Sequence, residues 1–236
     1  MENYTKNYTA EVDEKSIVNK VMTNVFMLMA LALIVTGGAS FYILQNQELL
    51  LRIVSSQGLL FGLMGAELLL VIVLSMAINK ISANVAMIMF AVYSILTGIT
   101  LSPLLFVYTE ESVALTFFIT AGTFGAMALI GYTIKKDLST IGRVLLMALI
   151  GLIIASIANI FIESSGMGMI INYAGVLIFV GLTAYDTQKI KVLVQNCIAR
   201  DGAALVPKIA IIGALELYLD FINLFIYLLR ILGKRK

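Results

Sequence analysis

The sequence predicts an all-α, polytopic membrane protein, a bundle of seven transmembrane helices, on three observations. Apolar residues make up 61% of the 236-residue chain, and its mean hydropathy is +1.01. Charged residues are only 13%, whereas soluble domains carry roughly 25%. Seven windows of about 20 mostly apolar residues can be drawn, each long enough to cross a bilayer. The windows are apolar all round, so they lack the alternation that strands of a β-barrel show over about 10 residues. Backbone groups in lipid must be satisfied within the segment, which selects helix.

The first window runs from about Val21 to Leu44 and the second from about Leu59 to Ile78. The third covers Val85 to Val107, the fourth Val113 to Ile134, and the fifth Val144 to Ile162. The sixth runs from about Ile170 to Ile190 and the seventh from about Ile209 to Leu232. The connections are short, and only Gln45–Gly58 and Lys191–Lys208 are longer. No linker divides the chain. The expected organisation is a polar tail over 1–20, a seven-helix domain over 21–232 and a basic tail over 233–236. Gly58 with Gly62, Gly122 with Gly125, and Gly175 with Gly181 are expected to serve close packing inside the bundle.

Lys and Arg in short loops orient such a bundle. Lys6, Lys15, Lys20, Lys80, Lys135, Lys136, Arg143, Lys189, Lys191, Arg200 and Lys208 would share one side, predicted cytoplasmic together with the N-terminus. Arg52 would lie on the other side, where the acidic connections Tyr108–Ser112 and Glu163–Gly168 carry no base. Seven full spans put Gly233-Lys-Arg-Lys236 outside, against the rule, and a re-entrant seventh segment would put it inside. The N-terminus lacks a basic region followed by a short apolar core, so a cleaved signal peptide is not expected. Two sequons, Asn3-Tyr4-Thr5 and Asn7-Tyr8-Thr9, fall in a tail read as cytoplasmic.

Composition removes several function classes. Histidine is absent, which takes away the commonest general base and transition-metal ligand. Cys197 is the single cysteine, so neither an intrachain disulfide nor a CxxC metal site can form. There is no Walker A loop and no HExxH. A net charge of +2 does not suggest nucleic acid. No catalytic residue, resident metal or cofactor is expected, and the chain reads as a non-enzyme whose surroundings are the lipid bilayer.

Four carboxylates remain in apolar stretches: Glu67, Asp186, Glu216 and Asp220. A carboxylate among lipid-facing side chains is expensive, so it usually faces a bundle interior and carries function. No basic residue stands inside those stretches, which leaves protons, cations or each other as partners. Glu216 and Asp220 are spaced i, i+4 on one helix face. Packed that close with little water, both should not ionise at neutral pH. Asp186 reads equally as a helix-end charge at the boundary. Pro103, in Thr97-Gly-Ile-Thr-Leu-Ser-Pro103, removes a backbone donor inside the third window. It makes a bend or a hinge, tolerated if Ser or Thr resatisfies the freed carbonyl.

Four segments in order carry a resemblance. Tyr185-Asp-Thr-Gln-Lys-Ile190 and Leu215-Glu-Leu-Tyr-Leu-Asp-Phe-Ile-Asn-Leu-Phe225, with Lys135-Lys-Asp-Leu-Ser139 and Leu101-Ser-Pro103, resemble the Bax inhibitor-1 family. The resemblance implies a seven-helix bundle with the last helix central. It also implies a calcium leak across a membrane and, in eukaryotic members, suppression of cell death. Matched by position, Asp186 and Asp220 become a pH-sensing pair and Glu67 the membrane glutamate of the second helix. A basic partner at the end of the second helix would fall to Lys80, an imperfect match, and Glu216 departs from the pattern. Depth stands against the pairing. Asp220 lies about 16 Å past Ile209, whereas Asp186 is near a helix end. The sixth helix must continue past Lys189, or the seventh must start outside the bilayer. The expected function is a pH-sensitive calcium-permeable leak channel of the plasma membrane, with Glu67 and Glu216 on the ion route and protons and calcium as ligands. The alternatives are a proton-coupled cation exchanger and a non-transporting regulator that binds another membrane protein.

Overall fold

The computed structural model describes the backbone of residues 2–201 and 205–236, and the side chains of 15–199 and 205–236. The two sequons, Lys6 and Arg200 lie outside the described side chains. The described residues form eight helices: α1 (Glu2–Gln45), α2 (Gln47–Ser55), α3 (Gln57–Ala77), α4 (Ala83–Val107), α5 (Glu110–Thr133), α6 (Ser139–Ile162), α7 (Ser165–Asp201) and α8 (Val206–Leu232). All but α2 contain a stretch long and apolar enough to span. The chain is an all-α polytopic membrane protein.

Three elements differ from the sequence expectation. The Gln45–Gly58 connection is largely the helix α2, whose Leu50 and Ile53 are buried against Leu44, Leu49, Leu60 and Ile99. The Asn46 side chain caps it by accepting from Leu49 N at 3.3 Å. Helix α7 runs past Ile190 to Asp201 because Ile190, Val194 and Cys197 continue its buried face. Helix α8 starts at Val206, with Pro207 in its first turn, where a missing N–H costs nothing.

Helix α8 is the axis of the bundle. It packs on α1, α4, α5 and α7, and 67% of its apolar stretch is buried, against 6% for α3 and α6. Two groups of three flank it. Helices α1 and α3 pack on α4, and α5 and α6 pack on α7. The core therefore lies along α8, from Ala210 to Leu229. Tyr218, wholly buried, presents its ring edge-on to Phe90 and Tyr93 at 5.7 and 5.8 Å.

Helices α1 and α4 are joined by hydroxyls. Thr36 Oγ1 donates to Ser94 O at 2.9 Å, and Ser40 Oγ donates to Gly98 O at 2.7 Å. Such bonds, with small residues at the crossing, hold helices together where lipid supplies no hydrophobic drive. Gly98 makes the approach possible, since a Cβ there would stand 2.5 Å from Thr36 O. Among the glycine pairs read as packing positions, Gly175 meets Tyr227 and Gly181 meets Leu145. The packing expectation fails for Gly58, Gly62, Gly122 and Gly125, where a Cβ would meet nothing within 4 Å. Residue spacing does not say which face of a helix is turned inward.

The basic connections gather at one end. Lys208 Nζ donates to Asn79 O at 3.4 Å, joining α8 to the α3–α4 turn. In the α5–α6 connection, Ser139 Oγ and N donate to Asp137 Oδ1 at 2.6 and 2.8 Å and hold that carboxyl below its ordinary range. At the opposite end the C-terminal tail is strapped to the α4–α5 connection. Thr109 N donates to Lys234 O, and Lys236 N to Val107 O, both at 2.9 Å. Helix α8 thus crosses completely without re-entering, and the tail shares an end with Tyr108–Ser112.

Candidate functional site

The extension of α7 removes the depth mismatch. Asp186 and Asp220 each lie about 17 residues, or about 26 Å of helix, from the α7–α8 connection, one before it and one after. Antiparallel packing of the two helices brings residues at equal distance from the turn to one level. The Asp186 and Asp220 carboxyls are hydrogen-bond neighbours there. Asp220 is 4% exposed, and its Oδ2 has no partner among the described residues. Buried polar atoms are normally paired, so an orphan of this kind calls for an explanation.

Glu216, one turn from Asp220, is half-buried and bound to a cation. Lys189 Nζ lies 2.7 Å from Glu216 Oε1 and 3.7 Å from Asp186 Oδ1. This corrects the expectation of acids without a basic partner. Expected in the last turn of the sixth window, at the boundary, Lys189 is an interior residue of α7 that reaches across to α8. The other candidate cation, Lys80, is exposed in the turn after α3, and the lysine against these acids is Lys189. The spacing Asp186–Lys189 was visible, but Lys189–Glu216 depends on the register of two helices.

The surrounding motif is built residue by residue. Tyr185 packs on Gly142 of α6, where no side chain would fit. Thr187 Oγ1 donates to Thr183 O at 2.7 Å inside α7. Gln188 clasps the α5–α6 connection: its Nε2 donates to Lys136 O at 2.9 Å, and its Oε1 accepts from Leu138 N at 2.8 Å. Two segments far apart in sequence, Lys135–Ser139 and Tyr185–Ile190, therefore meet at one place. Sequence reasoning missed Gln188 as the joint.

Glu67 stands apart from this cluster, half-buried on α3. Its Oε1 accepts from Thr100 Oγ1 of α4 at 2.6 Å, and it lies within electrostatic reach of Tyr93 and Tyr218. The structure does not bring Glu67 to Asp186 or Asp220 by any direct bond among the described residues. Pro103 lies inside α4, which stays helical to Val107. Ser102 Oγ donates to Ile99 O at 2.7 Å, the carbonyl that a residue with an N–H at 103 would have bonded.

A cavity of about 330 Å³ opens beside the cluster. Asn79, Asn196, Cys197 and Lys208 line it, and Glu216 stands in its wall. Among the described residues no three His, Cys, Asp or Glu side chains converge as metal ligands.

A seven-span bundle with acids and a lysine packed around its central helix defines a polytopic membrane protein with a charged core. The family model described as Inhibitor of apoptosis-promoting Bax1 matches residues 18–236. The chain belongs to the Bax inhibitor-1 family. It is 47% identical over 215 residues to the inner membrane protein YbhL of Escherichia coli, covering 91% of this chain and 92% of that one. It is also 42% identical over 228 residues to an uncharacterized protein of Borreliella burgdorferi, covering 97% of each. An uncharacterized protein of Rickettsia prowazekii is 40% identical over 239 residues and the two align over their whole lengths.

Proposed function

We propose that this chain is a pH-sensitive, calcium-permeable leak pathway of a bacterial inner membrane, with the N-terminus cytoplasmic. One observation carries the reading: Asp186 of α7 adjoins Asp220 on the buried axis α8, and one oxygen of Asp220 has no partner among the described residues. Two carboxyls in contact share protons, so their titration belongs to the pair. Calcium prefers oxygen ligands, and the core offers carboxylates, hydroxyls and carbonyls. The reading involves no catalytic step. Membership of the Bax inhibitor-1 family and the name of the Escherichia coli relative support the membrane assignment.

Glu67 favours one rival, a proton-coupled exchanger, because it is a second half-buried acid separate from the pair. Calcium flux through the purified protein in liposomes, measured against pH, tests both. The leak reading expects flux down the calcium gradient that changes with pH. Calcium driven against its own gradient by a pH gradient would make the protein an exchanger. Absence of flux at every pH would leave a non-transporting regulator.

A further inference from the structure

A second cavity, of about 540 Å³, lies toward the tail end of the bundle, away from the α7–α8 acids. Small-molecule sites typically measure roughly 300–1,000 Å³. Helices α1 and α5 both pack on α8 but not side by side, and the cleft between them forms this cavity. Leu33 and Phe41 of α1, Phe117 of α5, and Phe221 and Phe225 of α8 line it. Phe41 and Phe118 in its wall are 63% and 72% exposed, so the cleft opens sideways toward lipid.

Along α1 the cavity reaches from Leu33 to Gln45, about 18 Å of helix. One leaflet of a hydrocarbon core about 30 Å thick is about 15 Å deep. Polarity changes along that length. In the deep part the hydroxyls of Thr36 and Ser40 already donate to backbone carbonyls of the bundle. The charged lining residues, Glu110 and Lys236, stand at the tail end. Lys236 Nζ lies over the Phe106 ring at 5.3 Å, and Glu110 begins α5. Neither makes an ion pair among the described residues. One acid and one base at the mouth of an apolar cleft match a ligand with an apolar chain and a head of both charges.

We propose that the α1–α5 cleft binds one phosphatidylethanolamine molecule from the leaflet on the tail side. An acyl chain lies on Phe221 and Phe225, the phosphate meets the Lys236 ammonium, and the primary ammonium of the head donates to Glu110. Phosphatidylglycerol offers Glu110 no cation, and the nitrogen of phosphatidylcholine carries no N–H to donate. The site does not depend on the leak reading.

Gly37 makes the cleft testable. It lines the cavity, and a Cβ there would meet nothing within 4 Å. Gly37→Leu therefore fills the cleft without disturbing a packed neighbour, and leucine favours helix over glycine. The purified full chain in detergent is mixed with equal amounts of phosphatidylethanolamine, phosphatidylglycerol and phosphatidylcholine of identical acyl chains. Native mass spectrometry counts the lipid retained. Wild type is expected to keep one phosphatidylethanolamine, about threefold in preference to either other lipid, the scale of an exposed ion pair. Glu110→Gln should remove the preference over phosphatidylglycerol, Lys236→Gln should weaken retention of all three, and folded Gly37→Leu should lose the bound lipid. Equal retention of the three lipids by wild type shows annular lipid only and overturns the proposal. Tighter phosphatidylglycerol, or wild-type retention by folded Gly37→Leu, also overturns it. If Gly37→Leu does not fold, Ala114→Leu in the α5 wall is read the same way. If neither folds, a lipid preference unchanged in both Glu110→Gln and Lys236→Gln overturns it.

Discussion

Asp220 is a carboxyl on the axis of a membrane bundle, with one oxygen lacking a partner among the described residues and a second carboxyl beside it. If Asp186 and Asp220 share protons, neither residue titrates alone. Asp186→Asn and Asp220→Asn are each expected to shift or flatten the pH profile of calcium flux. The double variant should fall short of the sum of the two, because both substitutions disturb one coupled unit. Additive effects would mean two independent acids and move attention to Glu216 with Asp220. Glu67 is a separate case. Glu67→Gln keeps the size of the side chain and an oxygen for Thr100 Oγ1. Protein abundance should stay near wild type while calcium flux falls, and unchanged flux would return Glu67 to a packing role.

Single contacts become consequential at the scale of elements where two backbones approach. Helices α1 and α4 meet at Gly98, whose carbonyl accepts from Ser40 and whose missing Cβ leaves room for the backbone of Thr36 and Ser40. Gly98→Ala would force the helices apart. Overpacking of this kind costs about 1–3 kcal/mol, read as a lower thermal unfolding midpoint in detergent. An unchanged midpoint would mean that the crossing yields freely. The proline of the same helix is the opposite case. Ser102 restores a partner to Ile99 O, so the helix continues and the four residues beyond Pro103 still reach Val107. Helices α7 and α8 owe their pairing to register. Asp186 with Asp220, and Lys189 with Glu216, are both rungs of one antiparallel hairpin.

For the whole molecule, the question is which end faces the cytoplasm. The basic α5–α6 connection and the strapped C-terminal tail lie at opposite ends of the bundle. If Lys and Arg of the short connections are retained in the cytoplasm, Lys135 is expected inside and the tail outside. In a Cys197→Ser background, an impermeant thiol reagent added to intact cells is expected to label Lys234→Cys and to spare Lys135→Cys. The reverse pattern would invert the protein. The tail is the part that offends the charge rule, and it is also the part held by backbone hydrogen bonds to Val107 and Thr109. Docking gives the three basic residues at the C-terminus a fixed place.

The sequence by itself determined that this chain is helical and that it has seven stretches able to span a membrane, and it marked four acids in apolar runs. Those conclusions need only run length, polarity and residue type, which are local properties. Family membership was also legible, because Tyr185–Ile190 and Leu215–Phe225 are contiguous strings. The tertiary structure decided the rest. It turned Gly58 and Gly122 away from the core and Gly98 into it, since spacing along a uniformly apolar helix carries no mark of the inward face. Hydropathy likewise predicted that the sixth helix would end near Lys189. A lysine in a helix is permitted wherever a neighbouring acid compensates it, and that acid, Glu216, sits on a different helix. Whether a charged residue ends a helix or lies within the bundle depends on a partner across the fold, which a linear reading cannot place.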